Sequence, residues 1–400
     1  YTPGKTNVKV NKVWDDSNNQ DGIRPNSIEV QLYADGKEKG KAVELNADNN
    51  WTTTFANLDE KVAGKVIEYT VKEASEVSGY TTSIDDSDKS NVTITNAHTT
   101  ETTEVAGTKT WNDADNQDGI RPESITVNLL ANGKVVKTTR VSAETEWSYR
   151  FTDLPKNEGG KAIDYKVSEE AVEGYDGSVD GFNITNTHTP ETTEVTGTKT
   201  WDDNNNQDGI RPDSVTVNLL ADGIPTGQTA EVNADTDWKY EFTDLPVFEV
   251  GSVGKKVVYT VTEDAVDGYQ RTTPADAFDI TNTHTPETTE VTGTKTWDDN
   301  NNQDGIRPDS ITVNLLANGQ KVDSKEITSA DDWSYSFTGL PKNESGKAIK
   351  YEVSEETVEG YDVKIDGFNI TNTHTPETTE VTGTKTWDDN NNQDGIRPDS

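Results

Sequence analysis

The chain has 400 residues, with 36 basic against 73 acidic side chains and a formal charge of −37. So acidic a surface excludes nucleic acid and anionic membrane as partners, because both need basic side chains, and no apolar run nears the ~20 residues of a membrane span. The absence of Cys rules out a disulfide scaffold and a thiolate metal site.

The apolar share of 30% is low for a globular chain, yet nine Trp, 13 Tyr and eight Phe are too many anchors for a solvated tail. A start at Tyr1 without any Met suggests a segment of a longer precursor, with its signal peptide and any wall anchor outside these residues.

The first predicted element in each unit is a strand ending in Trp. Its Lys recurs at positions 12, 109, 199, 295 and 385, a period near 90 residues. An Asp/Asn-rich loop follows and closes on Gln-Asp-Gly-Ile-Arg-Pro, as at 202–212. Next comes an alternating strand such as 215–220, which meets Ala221-Asp222-Gly223, a two-residue hairpin turn that needs positive φ. A second Trp opens the next strand at positions 51, 147, 238 and 333. Strands such as 259–263 and 278–284 complete the unit, and a Thr-rich linker with one Pro leads on.

No helical period exceeds about two turns. The expected fold is therefore all-β, an antiparallel sandwich repeated as beads on a string. Units are expected at 1–99, 100–189, 190–285 and 286–375, with a truncated fifth at 376–400.

Side chains on a strand alternate between faces. Val195, Gly197, Lys199 and Trp201 share the face opposite a wet Thr face, so Lys199 points inward. By the same parity Glu263 and Asn282 point inward. The pattern repeats as Lys12, Glu73, Asn96; Lys109, Glu169, Asn186; and Lys295, Glu355, Asn372.

Burying an ammonium and a carboxylate favours their neutral forms. A neutral amine is a nucleophile, and a protonated Glu can serve the Asn amide. Attack of the Lys amine on the Asn carbonyl with loss of ammonia would give a side-chain amide bond. The alternative is a buried Lys–Glu ion pair hydrogen-bonded by Asn.

The Thr-Lys-Thr-Trp-Asp-Asp run with Asp-Gly-Ile-Arg-Pro, the Tyr-x-Val-x-Glu…Gly-Tyr strand at 259–269 and the closing Ile-Thr-Asn-Thr-His at 280–284 resemble the collagen-adhesin (Cna) B-type repeats of Gram-positive surface adhesins and pilin-like proteins. The resemblance implies a prealbumin-like sandwich of reversed immunoglobulin-like topology. It also implies isopeptide bonds Lys12–Asn96, Lys109–Asn186, Lys199–Asn282 and Lys295–Asn372, with Glu73, Glu169, Glu263 and Glu355 as proton shuttles. Lys385 has no partner in its truncated unit.

The function implied is a monomeric stalk outside the cell, attached to the Gram-positive wall by an anchor beyond this segment. A host extracellular-matrix protein would be held by regions elsewhere in the full protein. Direct, multivalent binding of a host ligand by the repeats is the alternative. The loop Asn204-x-Asn206-x-Asp208-Gly209 resembles the start of an EF-hand, but position twelve is Val215 and no helices flank it, which favours an Asx-type turn. No cofactor, metal or turnover chemistry is expected, and His98, His188, His284 and His374 are read as closing the last strand of each unit.

Overall fold

In the computed structural model, which describes residues 2 and 4–400, strand follows strand, and the helical pieces among the described residues are 3-10 turns of three residues. The first repeat comprises β1 (Lys5–Asp15), β2 (Ser27–Ala34), β3 (Lys37–Glu38), β4 (Val43–Asn46), β5 (Thr52–Asp59), β6 (Lys61–Val62), β7 (Lys65–Val66), β8 (Tyr69–Glu73), β9 (Thr81–Asp85) and β10 (Asn91–Ala97). One sheet has the order β5-β1-β10-β9, and in the other β2 carries β3, β4 and β8. The sheet built on the first and last strands recurs in the same order in the next three repeats. The molecule is a tandem array of β-sandwich domains.

Each core comes from alternation. Val8 and Val10 of β1, Val30 and Leu32 of β2, Leu45 of β4, Val71 of β8 and Val92 and Ile94 of β10 form one buried cluster. Each fully buried Leu or Ile stabilises by about 1.5–3 kcal/mol. The hairpin turns are as expected: Asn132 and Gly133 have φ of 50° and 83°, the pair of positive values that a primed turn requires.

One packing exchange separates the first repeat from the others. Gly107 pairs with Tyr149, and a Cβ on Gly107 would lie 1.9 Å from Phe182 O and 2.7 Å from the Tyr149 hydroxyl. In the first repeat the pair is Val10 and Thr53. A small residue accommodates a large partner, and the volume is conserved.

The first and last strands of a repeat run parallel, which positions the site. Lys12 lies opposite Ile94 and Trp14 opposite Asn96. The same register holds for Lys109 with Ile184, Lys199 with Ile280 and Lys295 with Ile370.

Two compact units hold the chain, Tyr1–Thr192 with Pro246–Lys256 and Thr193–Leu245 with Val257–Ser400. Within the first, hydrogen bonds tie the linker to the repeats that it joins. Asp21 Oδ2 accepts from the Glu101 N–H and lies 2.8 Å from His98 Nε2, while Asp21 Oδ1 accepts from Asn157 Nδ2 at 3.2 Å. The Gly160 N–H also donates to Gln20 O at 3.0 Å. A Cβ on Gly22 would fall 2.3 Å from Gly160 Cα, so two backbones meet where only glycine fits. Asp208 makes the same bonds in the second unit, to Glu287 N–H, His284 and Asn343. Loop residues carry this joint, and loops have no periodicity from which to read it.

Candidate functional site: the Lys–Glu–Asn cluster of each repeat

The parallel register places Lys and Asn two residues apart on one face, a diagonal that a long side chain can span. Glu enters from the facing sheet: Glu73 ends β8 and pairs with Val30 of β2. All twelve expected residues therefore converge in four sets of three. Asn96 and Asn372 are 0% exposed, and the four Lys are 4–6% exposed.

The Lys–Glu distances agree among the four sets, whereas Nδ2 of Asn186 and Asn372 is buried with no hydrogen bond among the described residues. The Nζ–Oε1 separation is 3.7 Å for Lys12–Glu73, 3.3 Å for Lys109–Glu169, 3.6 Å for Lys199–Glu263 and 3.7 Å for Lys295–Glu355. Asn96 Nδ2 donates to Glu73 Oε1 at 2.9 Å, and Asn282 Nδ2 to Glu263 Oε2 at 2.7 Å. The ammonium groups are poorly served. Lys12 Nζ donates to Val13 O at 2.9 Å, whereas Lys109 reaches Thr110 O only at 3.5 Å. Oε1 of Glu169, Glu263 and Glu355 is buried without a hydrogen bond among the described residues.

Burial lowers Lys12, Lys199 and Lys295 to about 8, against the opposing pull of the facing carboxylates. Lys109 is lowered by the same cause. Burial raises the Glu355 carboxyl, with the Asn372 amide and Lys295 acting the other way. An amine pushed toward neutrality beside a carboxamide is the arrangement that amide exchange requires.

Aromatic rings floor the cluster. Lys12 Nζ stands 3.9 Å from the Trp14 ring centroid, and Lys295 Nζ 3.4 Å from that of Trp297. Trp51 packs edge-on against Trp14 at 5.3 Å, and its O accepts the Lys12 N–H. The second Trp of every repeat is left-handed, with φ of 53° at Trp51, 54° at Trp147, 57° at Trp238 and 53° at Trp333. Bulky residues seldom adopt that conformation, so the surrounding structure over-determines it. The indole N–H of Trp14, Trp111, Trp201 and Trp297 is buried with no acceptor among the described residues.

A polar cluster beside the site escaped strand parity. Asp16 receives Arg24 through both oxygens, at 3.0 and 2.5 Å, and the Tyr80 hydroxyl at 2.7 Å. Burial would raise the Asp16 carboxyl, but Arg24, Tyr80 and the Asn19 N–H together hold it down at about 2. Its signal was Asp and Arg at a constant spacing in every copy. The Asn run explains itself, since Asn204, Asn205 and Asn206 all have φ between 51° and 59°, which Asn tolerates best after Gly. Asp203 Oδ1 caps this turn through the Asn206 N–H, the Asx-type geometry read from sequence. Each His closes its repeat, as His98 does between Gly79 O and Asp21. Lys385 is exposed.

Tandem sandwiches with a buried amine, acid and carboxamide define a class of repeat domain. The chain belongs to the family of Cna protein B-type domains, whose model matches residues 8–97, 105–187, 195–283, 291–373 and 381–400. These are structural domains rather than enzymes.

A curated relative, the "Collagen adhesin" of Staphylococcus aureus, is 51% identical over 404 residues, covering 100% of this chain and 34% of that protein. The chain thus spans about a third of the length of the relative it matches. The solved structure of two B repeat units (B1B2) of the collagen binding protein of Staphylococcus aureus is 40% identical, covering 93% of this chain and 100% of its own, with a TM-score of 0.41. The pilus adhesin SpaC of Lactobacillus rhamnosus GG is 15% identical, covering 93% of this chain and 44% of its own, with a TM-score of 0.23.

Proposed function

We propose that this segment is stalk from a Gram-positive surface adhesin, and that each complete repeat closes on itself through a Lys–Asn isopeptide bond. The observation that carries the reading is the unsatisfied ion pair. A buried pair kept for stability should be tightly hydrogen-bonded, yet these amines and carboxylates face each other at 3.3–3.7 Å with Oε1 unpaired in three repeats. Passing the ammonium proton to the facing carboxylate leaves both groups neutral. The amine then adds to the carboxamide, ammonia leaves, and no buried charge remains. Glu73, Glu169, Glu263 and Glu355 carry the proton; Lys and Asn supply the bond. The reaction occurs once per repeat.

The full protein attaches to the wall through an anchor outside this segment and, in keeping with the relative's name, holds a collagen-type matrix protein through regions other than these repeats. Intact mass of the purified segment tests the bonds. It is expected to fall short of the sequence mass by four ammonia molecules, with each Lys→Ala change at 12, 109, 199 or 295 restoring one. A mass equal to the plain sequence leaves only ion pairs. Surface-binding measurements with this segment on immobilised collagen are expected to show no saturable binding; saturable binding would transfer the adhesive role to the repeats.

A further inference from the structure

We propose that Thr82 is a catalytic residue of the first repeat, the hydroxyl that stabilises the oxyanion when Lys12 attacks Asn96. The inference rests on the crosslinking reading and adds a difference between repeats that otherwise share their machinery. The strand beside the last one sets a single residue directly opposite each Asn. It is Thr82 opposite Asn96, Gly177 opposite Asn186, Arg271 opposite Asn282 and Val363 opposite Asn372. Lys, Glu and Asn are invariant among the four repeats, and this position is different in each.

Thr82 Oγ1 donates to Asn96 Oδ1 at 2.8 Å and lies 3.1 Å from Glu73 Oε2. In the other repeats Oδ1 of Asn186, Asn282 and Asn372 is buried with no donor among the described residues. Arg271 occupies the position but directs its N–H groups to Thr273 Oγ1 and the carbonyls of Val261, Pro274 and Ala277. A Cβ on Gly177 would stand 3.1 Å from Asn186 Oδ1, so a side chain placed there reaches the oxygen.

The chemistry needs a donor at that atom. As Lys12 Nζ bonds to Asn96 Cγ, the carbonyl π pair moves onto Oδ1, and a hydroxyl already in place binds the growing charge without reorganising. Collapse restores C=O and breaks Cγ–Nδ2. Glu73 delivers to Nδ2 the proton taken from Nζ, and ammonia departs. A primary amide and an amine give a secondary amide and ammonia, with no oxidant or reductant.

Cell-free synthesis of the whole chain, followed by a timed chase, acid quench and peptide mass mapping, reads the closure of each repeat separately. The first repeat is expected to close ahead of the fourth. Thr82→Val should slow Lys12–Asn96 closure by about 10- to 100-fold, less than the loss of a fully enclosed oxyanion donor because Thr82 sits on an exposed strand. The other three rates should hold, and Thr82→Ser should retain the parent rate. Val363→Thr should accelerate the fourth repeat, which decides the matter even if Thr82→Val folds poorly. Unchanged rates in both Thr82→Val and Val363→Thr would reduce Thr82 to an ordinary side-chain hydrogen bond. Loss of ammonia at no repeat would instead overturn the crosslinking reading itself.

Discussion

At the scale of single residues, Lys199 shows what burial does to an amine. Its side chain is 0% exposed, and burial holds it at about 8 against an ordinary 10.5. Asn282→Ala would keep that amine unreacted and so expose its linkage to pH. Between pH 8 and 10.5 the unfolded chain binds the extra proton, so stability should rise with pH across that window. Thermal melts of Asn282→Ala should show the third repeat gaining stability there, and adding Lys199→Ala should flatten the gain. Lys, Glu and Asn were legible in the sequence because strands have a period of two and each of these residues breaks an apolar face. Thr82 was not, because β9 is exposed throughout and parity marks nothing on a strand without a buried face. Asp16 and Arg24 were missed for a related reason: their loop is held by side-chain bonds, which the inside–outside alternation of strands does not mark.

Among the elements, the left-handed turn after the first strand can be tuned. Its three residues have positive φ in every repeat, and in the second the first of them is Ala114 at 50°. Ala has no side-chain means of offsetting that conformation, whereas Asn has. Ala114→Asn, the residue found at Asn204 and Asn300, should stabilise the second repeat by about 0.5–1 kcal/mol. Calorimetry of the whole chain would resolve this as a shift of one transition. A loss of stability would mean that Ala114 is kept for a contact rather than tolerated. The sheets themselves were foreseen from alternation and Asn-Gly turns. The Asp21 joint was not, since it links a loop to a linker and to a hairpin of the following repeat.

For the molecule as a whole, the proposed bonds decide how tension travels. The chain runs 77 residues from Lys109 to Asn186. Closing such a loop restricts the unfolded chain by roughly 4.5 kcal/mol in the entropic account. Under load the effect is larger, because the closed segment cannot lengthen at all. Single-molecule stretching of the parent should show no unfolding steps from the complete repeats, while Lys109→Ala should add one step of about 25 nm, the contour of the released loop. Steps of that length in the parent would show the bonds to be absent.

The parallel pairing of opening and closing strands has one more consequence. A polypeptide entering a repeat at one end of the β5-β1-β10-β9 sheet departs from the other end, as Lys9 beside Asn91 and Asp15 beside Ala97 require. Had those strands been antiparallel, entrance and exit would share a side. As built, each repeat carries the chain forward across its own sheet instead of returning it to the side where it entered.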